Sequence, residues 1–422
     1  MRGLSSPSRK NVQGEDLLVT TDPDAPIVAP SGLLDPVLER AGVQICTRCI
    51  YDERVSAITF DSDGICNYCR QTEALEAEYE TGTPAGEAEL RRIVDRIRGE
   101  GKGKPYDCVI GVSGGTDSSY MVYLAKDWGL RPLAVHYDNT WNSAIATQNI
   151  QKVLAALDVD LWTHVVDNTE ADDIIRAFFR AGVAEIDAAT DLGLAETMYR
   201  AAWKHRVGFI LEGHSFLTEG ITPVGRNYFD GRYIQAIHAR FGSQPMRTYP
   251  LMTFSRFLFW ATGARIRKIR PFWYLRHTKE EARQLLEREF DWRYYGGHHL
   301  ENRITAFCHG IYLPEKFGAD MRNNSLAARA RMGTMSREDA WAEYNTPRTI
   351  EEDLLEYFKK RLGLTDAEYD GVMHAPPRAW TDYPTYKRRF ERMRPLFAVL
   401  ARANLVPMSF YLKYCFSTTN PE

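Results

Sequence analysis

Asp107-Cys108-Val109-Ile110-Gly111-Val112, followed directly by Ser113-Gly114-Gly115-Thr116-Asp117-Ser118-Ser119, decides how this chain is read. The first run is short and apolar, the second sets two glycines among hydroxyls, and Ser118–Trp128 continues with a helical pattern. That order is a buried strand turning tightly into a helix. The glycines let the backbone take positive φ and approach a ligand closely. The unpaired amides of the helix start, with the hydroxyls of Ser113, Ser118 and Ser119, form a cradle for an anion. Asp117 would repel a phosphate unless a cation lay between them, so the loop implies Mg²⁺. A plain capped turn explains the glycines but not the clustered hydroxyls. The segment contains neither Gly-Lys-Ser/Thr nor a dinucleotide fingerprint.

Working outward, Pro132–His136 reads as a second strand, Ala144–Leu157 as a helix and Leu161–Val166 as a third strand. Helical Ala171–Ala181 and Leu194–His205 precede a fourth short strand, Phe209–Leu211. Strands separated by such helices predict an α/β fold with a parallel, doubly wound sheet covered on both faces. Ligands then bind beyond the carboxyl ends of the strands. Residues 106–289 form this domain, closed by a basic segment, Arg265–His277, and a helix from Thr278, with Glu281 completing a capping box.

Residues 1–41, rich in Pro, Ser, Asp and Gly, read as disordered or draped over the body. A cysteine module occupies 42–72, and 73–105 reads as one helical stretch, Glu73–Arg98, with a glycine- and lysine-rich linker. Residues 290–345 are aromatic and polar and are expected to form the substrate region; Ser336 caps a helix there. The extension 346–422 has one helix over Ile350–Leu362, then aromatics among arginines that predict an amphipathic cover or a contact between copies.

The spacing Cys46-x2-Cys49-x16-Cys66-x2-Cys69 brings four thiolates to one tetrahedral metal, and with four protein ligands the site would be structural Zn²⁺. An iron–sulfur cluster is the alternative for the same four residues. Cys108, Cys308 and Cys415 stand apart and read as buried fillers. Seven cysteines fit a reducing compartment, so the protein is expected in the cytoplasm. The 422 residues are 44% hydrophobic, and 53 basic against 56 acidic side chains leave a net charge of −3. That balance disfavours nucleic acid as the main partner, and no apolar run reaches the roughly 20 residues of a membrane span.

Ser-Gly-Gly-x-Asp-Ser after a first strand resembles the PP-loop of the ATP pyrophosphatase superfamily, whose members share an adenine nucleotide alpha hydrolase-like fold. The resemblance extends over about Tyr106–Glu289: His136-Tyr137-Asp138-Asn139 ends the second strand, Gly213-His214 follows the fourth, and Arg270-Pro271-Phe272 closes the domain. It implies ATP held by Ser113, Gly114, Gly115, Thr116, Asp117, Ser118, Ser119, His136, Asp138, Gly213 and Arg270. The cysteine module before such a domain narrows it further. With Asp138-Asn139-Thr140-Trp141-Asn142, Trp292-Arg293-Tyr294-Tyr295-Gly296-Gly297-His298-His299 and Leu313-Pro314-Glu315-Lys316-Phe317-Gly318, the chain resembles the N-acetyl sugar amidotransferase family over about Ile45–Ala340. Where that family has glycine, this chain has Thr140.

The resemblance implies conversion of the acetamido group of a nucleotide-linked sugar to an acetamidino group, with ATP and ammonia from a separate glutaminase. Asp117, Lys268, His214, His298 and His299 are the catalytic candidates, and Asn139, Trp141, Asn142, Tyr295 and Glu301 the substrate-binding ones. The chain holds no Gly-x-Cys-x-Gly elbow and has Arg2, not cysteine, after Met1, so the expected nitrogen source is another polypeptide or solution. A non-sugar natural-product amide or carboxylate is the alternative acceptor. The rival activity is tRNA thiolation, favoured by the basic runs Arg265–Arg270 and Lys387–Arg394. A non-catalytic adaptor is the rival of another class.

Overall fold

The computed structural model describes residues 43–416, apart from 222, 224–227, 297–299, 349, 404 and 407. The N-terminal segment 1–41 and the candidates His298 and His299 therefore lie outside the described residues. After the cysteine module come α1 (Asn67–Tyr79) and α2 (Pro84–Glu100). They are two helices and not one. Glu80 and Gly82 take left-handed φ of 48° and 72°, and Thr83 restarts the chain by capping the Gly86 amide ahead of Pro84.

The sheet domain runs β1 (Cys108–Gly111), α3 (Thr116–Asp127), β2 (Pro132–Asp138), α4 (Ala144–Leu157), β3 (Leu161–Val165), α5 (Asn168–Ala181), α6 (Ala188–Lys204) and β4 (Phe209–Leu211). Then follow α7 (Gly231–Phe241), α8 (Phe254–Leu258), β5 (Arg267–Ile269) and α9 (Lys279–Phe290). The five strands are parallel in the order β3-β2-β1-β4-β5, with Val109 beside Leu133 on one side and Ile210 on the other. The α/β expectation holds, and a fifth strand lies in the segment read only as basic. Two of the three β5 residues are basic, which masks the strand; pairing with β4 through Ile210 and Lys268 makes it.

One sheet face packs Ile110, Ala134 and Leu211 against α2, α3 and α4, through Val94, Val122 and Leu154. The other packs Val109, Leu133 and Ile210 against Met198 and Ala202 of α6 and Trp260. Both β1 faces are buried, as a central parallel strand requires, whereas β3 is an edge and exposes Leu161 and Val165.

The rest is helical: α10 (Arg303–Phe307), α11 (Leu313–Phe317), α12 (Arg322–Met332), α13 (Arg337–Asn345), α14 (Leu354–Leu362), α15 (Asp366–His374), α16 (Lys387–Arg392), α17 (Arg394–Arg402) and α18 (Met408–Cys415). A π-helical turn at Cys308–Tyr312 joins α10 to α11. Residues on both sides of position 345 share one core with α5: Phe307 and Phe358 stack at 3.5 Å, and Phe179 meets Phe358 at 5.3 Å. The cysteine module buries Ile50 and Tyr51 against Leu326, Ala327 and Trp341 of α12 and α13. A separate aromatic cluster joins α16–α18 to α8 through Phe257, Phe390 and Phe397. No described helix is long and apolar enough to cross a membrane.

Because Phe358 fills the seam between the sheet domain's α5 and the C-terminal helices, Phe358→Ala should cost about 3–5 kcal/mol. Urea unfolding should show it as a lower midpoint with an unchanged slope.

Candidate active site

Gly114 sits at φ 83°, and a Cβ there would fall 2.2 Å from the Ala146 carbonyl oxygen, so no side chain fits. Gly115 caps α3 without a side-chain oxygen, so no side-chain cap takes up the first-turn amides, and the Thr116 amide meets the Tyr295 hydroxyl. Ser118 Oγ accepts from the Ser113 amide at 3.3 Å, and Ser113 Oγ accepts from the Gly115 amide and donates to Glu301 Oε1 at 3.1 Å. Ser118 Oγ donates in turn to the Gly115 carbonyl at 3.2 Å, and Ser113, Gly115, Thr116, Asp117 and Ser118 line the wall of one concavity. Gly114 and Ser119 lie behind that wall, where they shape the turn.

Asp117 Oδ2 pairs with Lys279 Nζ at 2.7 Å, and its buried Oδ1 has no hydrogen-bond donor among the described residues. Burial pushes this carboxyl up, but Lys279 and His277 outweigh it and hold the group below its ordinary value. An ionised, half-satisfied carboxylate beside a donor cradle is a donor set that fits Mg²⁺. Lys279, unassigned from sequence, opens α9 directly after its N-cap Thr278, inside the capping box that Thr278 forms with Glu281.

Across the concavity, Glu212 holds both Lys268, at 2.6 Å, and Arg270, at 2.9 Å. Burial raises the Glu212 carboxyl, yet these two cations overcome it and hold it at about 2. Gly213 leaves room beside the Asp117 carbonyl, where a Cβ would come within 3.1 Å. His214 Nδ1 accepts from the Trp273 indole at 3.3 Å, and Nε2 faces Glu219 at 3.6 Å. Desolvation, and after it the charge of Arg270, lowers His214 to about 4, so its ring is neutral at pH 7.

The loop after β2 forms the adjoining wall. His136 Nδ1 donates to the Val112 carbonyl at 2.8 Å while Nε2 meets Asn142 Nδ2 at 3.0 Å, so both ring nitrogens are held in place. Asn302, also unassigned from sequence, donates to both Asn139 and Asn142 at 2.9 Å. Tyr295 and Glu301 stand over Gly115, each with an oxygen about 3 Å from where a Cβ would sit.

Two expected site residues are placed elsewhere. Trp141 is fully buried, donates to Asp172 at 2.9 Å and does not line the cavity; its apolar bulk is used as a core anchor. The Asp138 carboxylate accepts from the Thr140 amide at 2.7 Å and serves the turn. Thr140 itself has φ 59°, the conformation a glycine would take without strain. Arg361 of α14 secures it with bonds of 2.6 Å to both its carbonyl and its hydroxyl, while stacking on Trp141 at 4.0 Å.

These walls enclose a cavity of about 1450 Å³ that continues past α12 to residues of α16 and α18. A single small-ligand site usually takes about 300–1000 Å³, so the space exceeds one ligand.

The cysteine cluster lies apart from this cavity. Cys46 and Cys69 Sγ are 3.8 Å apart, as are Cys49 and Cys66, and all four lie within 4.8 Å of one another. Bonds of about 2.3 Å from one tetrahedral Zn²⁺ place thiolates about 3.8 Å apart, so the donor set fits a single ion. An iron–sulfur cluster, spreading its thiolates over several irons, needs a wider spacing. Amides of Arg48, Tyr51 and Cys66 point at the sulfurs, and buried Arg331 donates to Cys69 Sγ at 3.2 Å. These donors offset the charge that four thiolates would bring.

Residues 301–396 match the family described as "LPS biosynthesis protein WbpG-like, C-terminal domain". No curated protein matches the chain. Among solved structures, NMN synthetase from Francisella tularensis is similar at 12% identity and a TM-score of 0.29, covering 67% of this chain and 95% of its own. The U34-tRNA thiolase NcsA from Methanococcus maripaludis, solved with its 4Fe-4S cluster, is similar at 12% identity and a TM-score of 0.30, covering 66% of this chain and 80% of its own.

Two outcomes are expected. Cys46→Ser should lose about one zinc per chain by metal analysis and melt at lower temperature. The second concerns acid: Glu212, held at about 2 against an ordinary value of 4.5, contributes stability that is present above that ordinary value and lost as pH falls through the folded value. The unfolding free energy of the wild type should therefore fall more steeply with acidification towards pH 2 than that of Glu212→Gln.

Proposed function

We propose that this protein is an ATP-dependent amidotransferase that converts the amide of an N-acetyl, nucleotide-linked sugar to an amidine, releasing AMP and pyrophosphate. The observation that carries the reading is the shared cavity. Its wall combines Ser113 and Gly115 to Ser118 of the loop with Tyr295, Glu301 and Asn302, so that the cradle meets the segment matching a family named for lipopolysaccharide, and hence sugar, biosynthesis.

In this reading the loop amides, Ser113 and Ser118 bind the pyrophosphate of ATP, and Asp117 would hold Mg²⁺, which supplies charge neutralisation at the phosphates. Lys279, freed from part of its bond to Asp117, turns its charge to the same oxygens. Lys268 and Arg270, positioned by Glu212, face the α-phosphate. The substrate's amide oxygen attacks the α-phosphorus while the bond to pyrophosphate breaks, leaving an O-adenylyl imidate. Ammonia then attacks the imidate carbon, the C–O bond breaks, and the former amide oxygen leaves within AMP. Activation turns an oxygen that cannot depart into one that can. His214, neutral at pH 7, together with the Glu219 carboxyl it faces accepts the proton the attacking nitrogen sheds, and His298 and His299 are the other candidates for that role. Asn139 and Asn142, locked by Asn302, orient the acceptor. A partner glutaminase supplies the ammonia, and Cys46, Cys49, Cys66 and Cys69 would hold a structural Zn²⁺ that ties the cysteine module together.

The test is product analysis with ATP, Mg²⁺, ammonium chloride and a panel of nucleotide-activated N-acetyl sugars. AMP and pyrophosphate are expected with one sugar, together with a product lighter by about 1 Da, the mass change when NH replaces O. ADP and phosphate would overturn the loop's role, and AMP without any sugar would redirect the acceptor to another amide or to tRNA. Asp117→Ala should lower AMP formation by at least about a hundredfold with the fold intact.

A further inference from the structure

Three lysines with restricted access separate into two kinds. Lys316 is buried and donates to the Val372 and Ala375 carbonyls, each at 2.6 Å. Lys387 is buried and donates to the carbonyls of Lys413, at 3.0 Å, and Phe416. Both are satisfied by main chain, as a buried ammonium must be. Lys413 differs. Its ammonium lies over the rings of Phe229 and Tyr414, at 5.4 and 5.6 Å, and makes no hydrogen bond or ion pair with any described residue.

Lys413 also lines the large cavity, next to Phe390, Phe410 and Tyr414. The surrounding walls desolvate it and lower its pKa, and the fields of Asp191 and Glu185 offset this only in part. A cation held against aromatic faces, with its hydrogen-bonding capacity directed at a cavity, is an incomplete arrangement that an anion completes. The helix that carries it is fixed from behind, since Lys387 binds main-chain carbonyls at its C-terminal end and Arg394 stacks on Phe416 at 4.0 Å.

We propose that Lys413 and the aromatic wall of α16 and α18 bind the nucleoside diphosphate end of the acceptor, the phosphates on the ammonium and the base against the rings. This rests on the amidotransferase reading and adds to it the part of the chain that selects the acceptor. Flat aromatic side chains beside a cation suit a nucleotide, because a base stacks on the rings and the phosphate supplies the missing charge. The volume of about 1450 Å³ accommodates this ligand beside ATP in one enclosure. The C-terminal helices then form a substrate wall and not only a cover.

The test is calorimetric titration of the full-length protein with UDP and with CDP, and separately with a non-hydrolysable ATP analogue. Wild type is compared with Lys413→Met, which keeps the apolar stem, and Lys413→Arg, with thermal unfolding as a check on folding. One diphosphate should bind wild type, weaken about tenfold or more in Lys413→Met and recover in part in Lys413→Arg, while the ATP analogue binds all three alike. Equal diphosphate affinity in wild type and Lys413→Met, a loss confined to the ATP analogue, or no diphosphate binding to wild type would each overturn the assignment. AMP formation on a sugar nucleotide with unchanged diphosphate affinity in Lys413→Met would leave the reaction standing and remove Lys413 alone. Diphosphate binding that depends on Lys413, without AMP formation on any acceptor, would do the reverse.

Discussion

The contact between the Gly114 backbone and α4 is the constraint on which the site depends. With the Ala146 carbonyl pressed against the place of a Cβ, the turn after β1 has one conformation and only glycine fits it. The Gly114 carbonyl is then turned to receive the Trp292 indole at 3.2 Å, and Asn149, itself near that carbonyl, binds both the amide and the carbonyl of Arg293. Tyr295 and Glu301 follow a few residues later and arrive over the cradle. The main-chain geometry of one residue thereby ties the sheet domain to the segment that closes the cavity.

Charge in the site is arranged in advance. Lys279 waits on Asp117, and Lys268 with Arg270 waits on Glu212, so each cation is held in place by a carboxylate that ligand binding can relieve. Preorganised cations need little rearrangement when negative charge develops, which is where such sites obtain most of their effect. The neutrality of His214 follows the same economy, because its ring adds no charge to a region already crowded with them.

What could be read from the chain was local. The loop 113–119, the capping box at Thr278 and the two Cys-x2-Cys pairs each depend on residues a few positions apart, and each sits in the structure where the spacing placed it. The strand β5 was hidden because its identity comes from pairing with β4, not from its own composition of two basic residues in three. Lys279 and Asn302 were hidden because their partners, Asp117 and Asn139, lie more than 160 positions away in sequence. Trp141 misled for the converse reason: a tryptophan beside binding-type asparagines reads as substrate contact, but the side chain turns inward to Asp172 and Arg361.

The clamp on Thr140 bears on how the protein can be divided. A threonine in a left-handed conformation is strained, and here the strain is held by Arg361, more than two hundred residues downstream in a helix outside the sheet domain. Removing the C-terminal helices would therefore release the loop that carries Asn139 and Asn142, even with every strand intact. The sheet domain is not a portable module in this chain. A shortened or chimeric version must carry α14 with it, because both the loop's conformation and the Phe179–Phe358 packing depend on that helix.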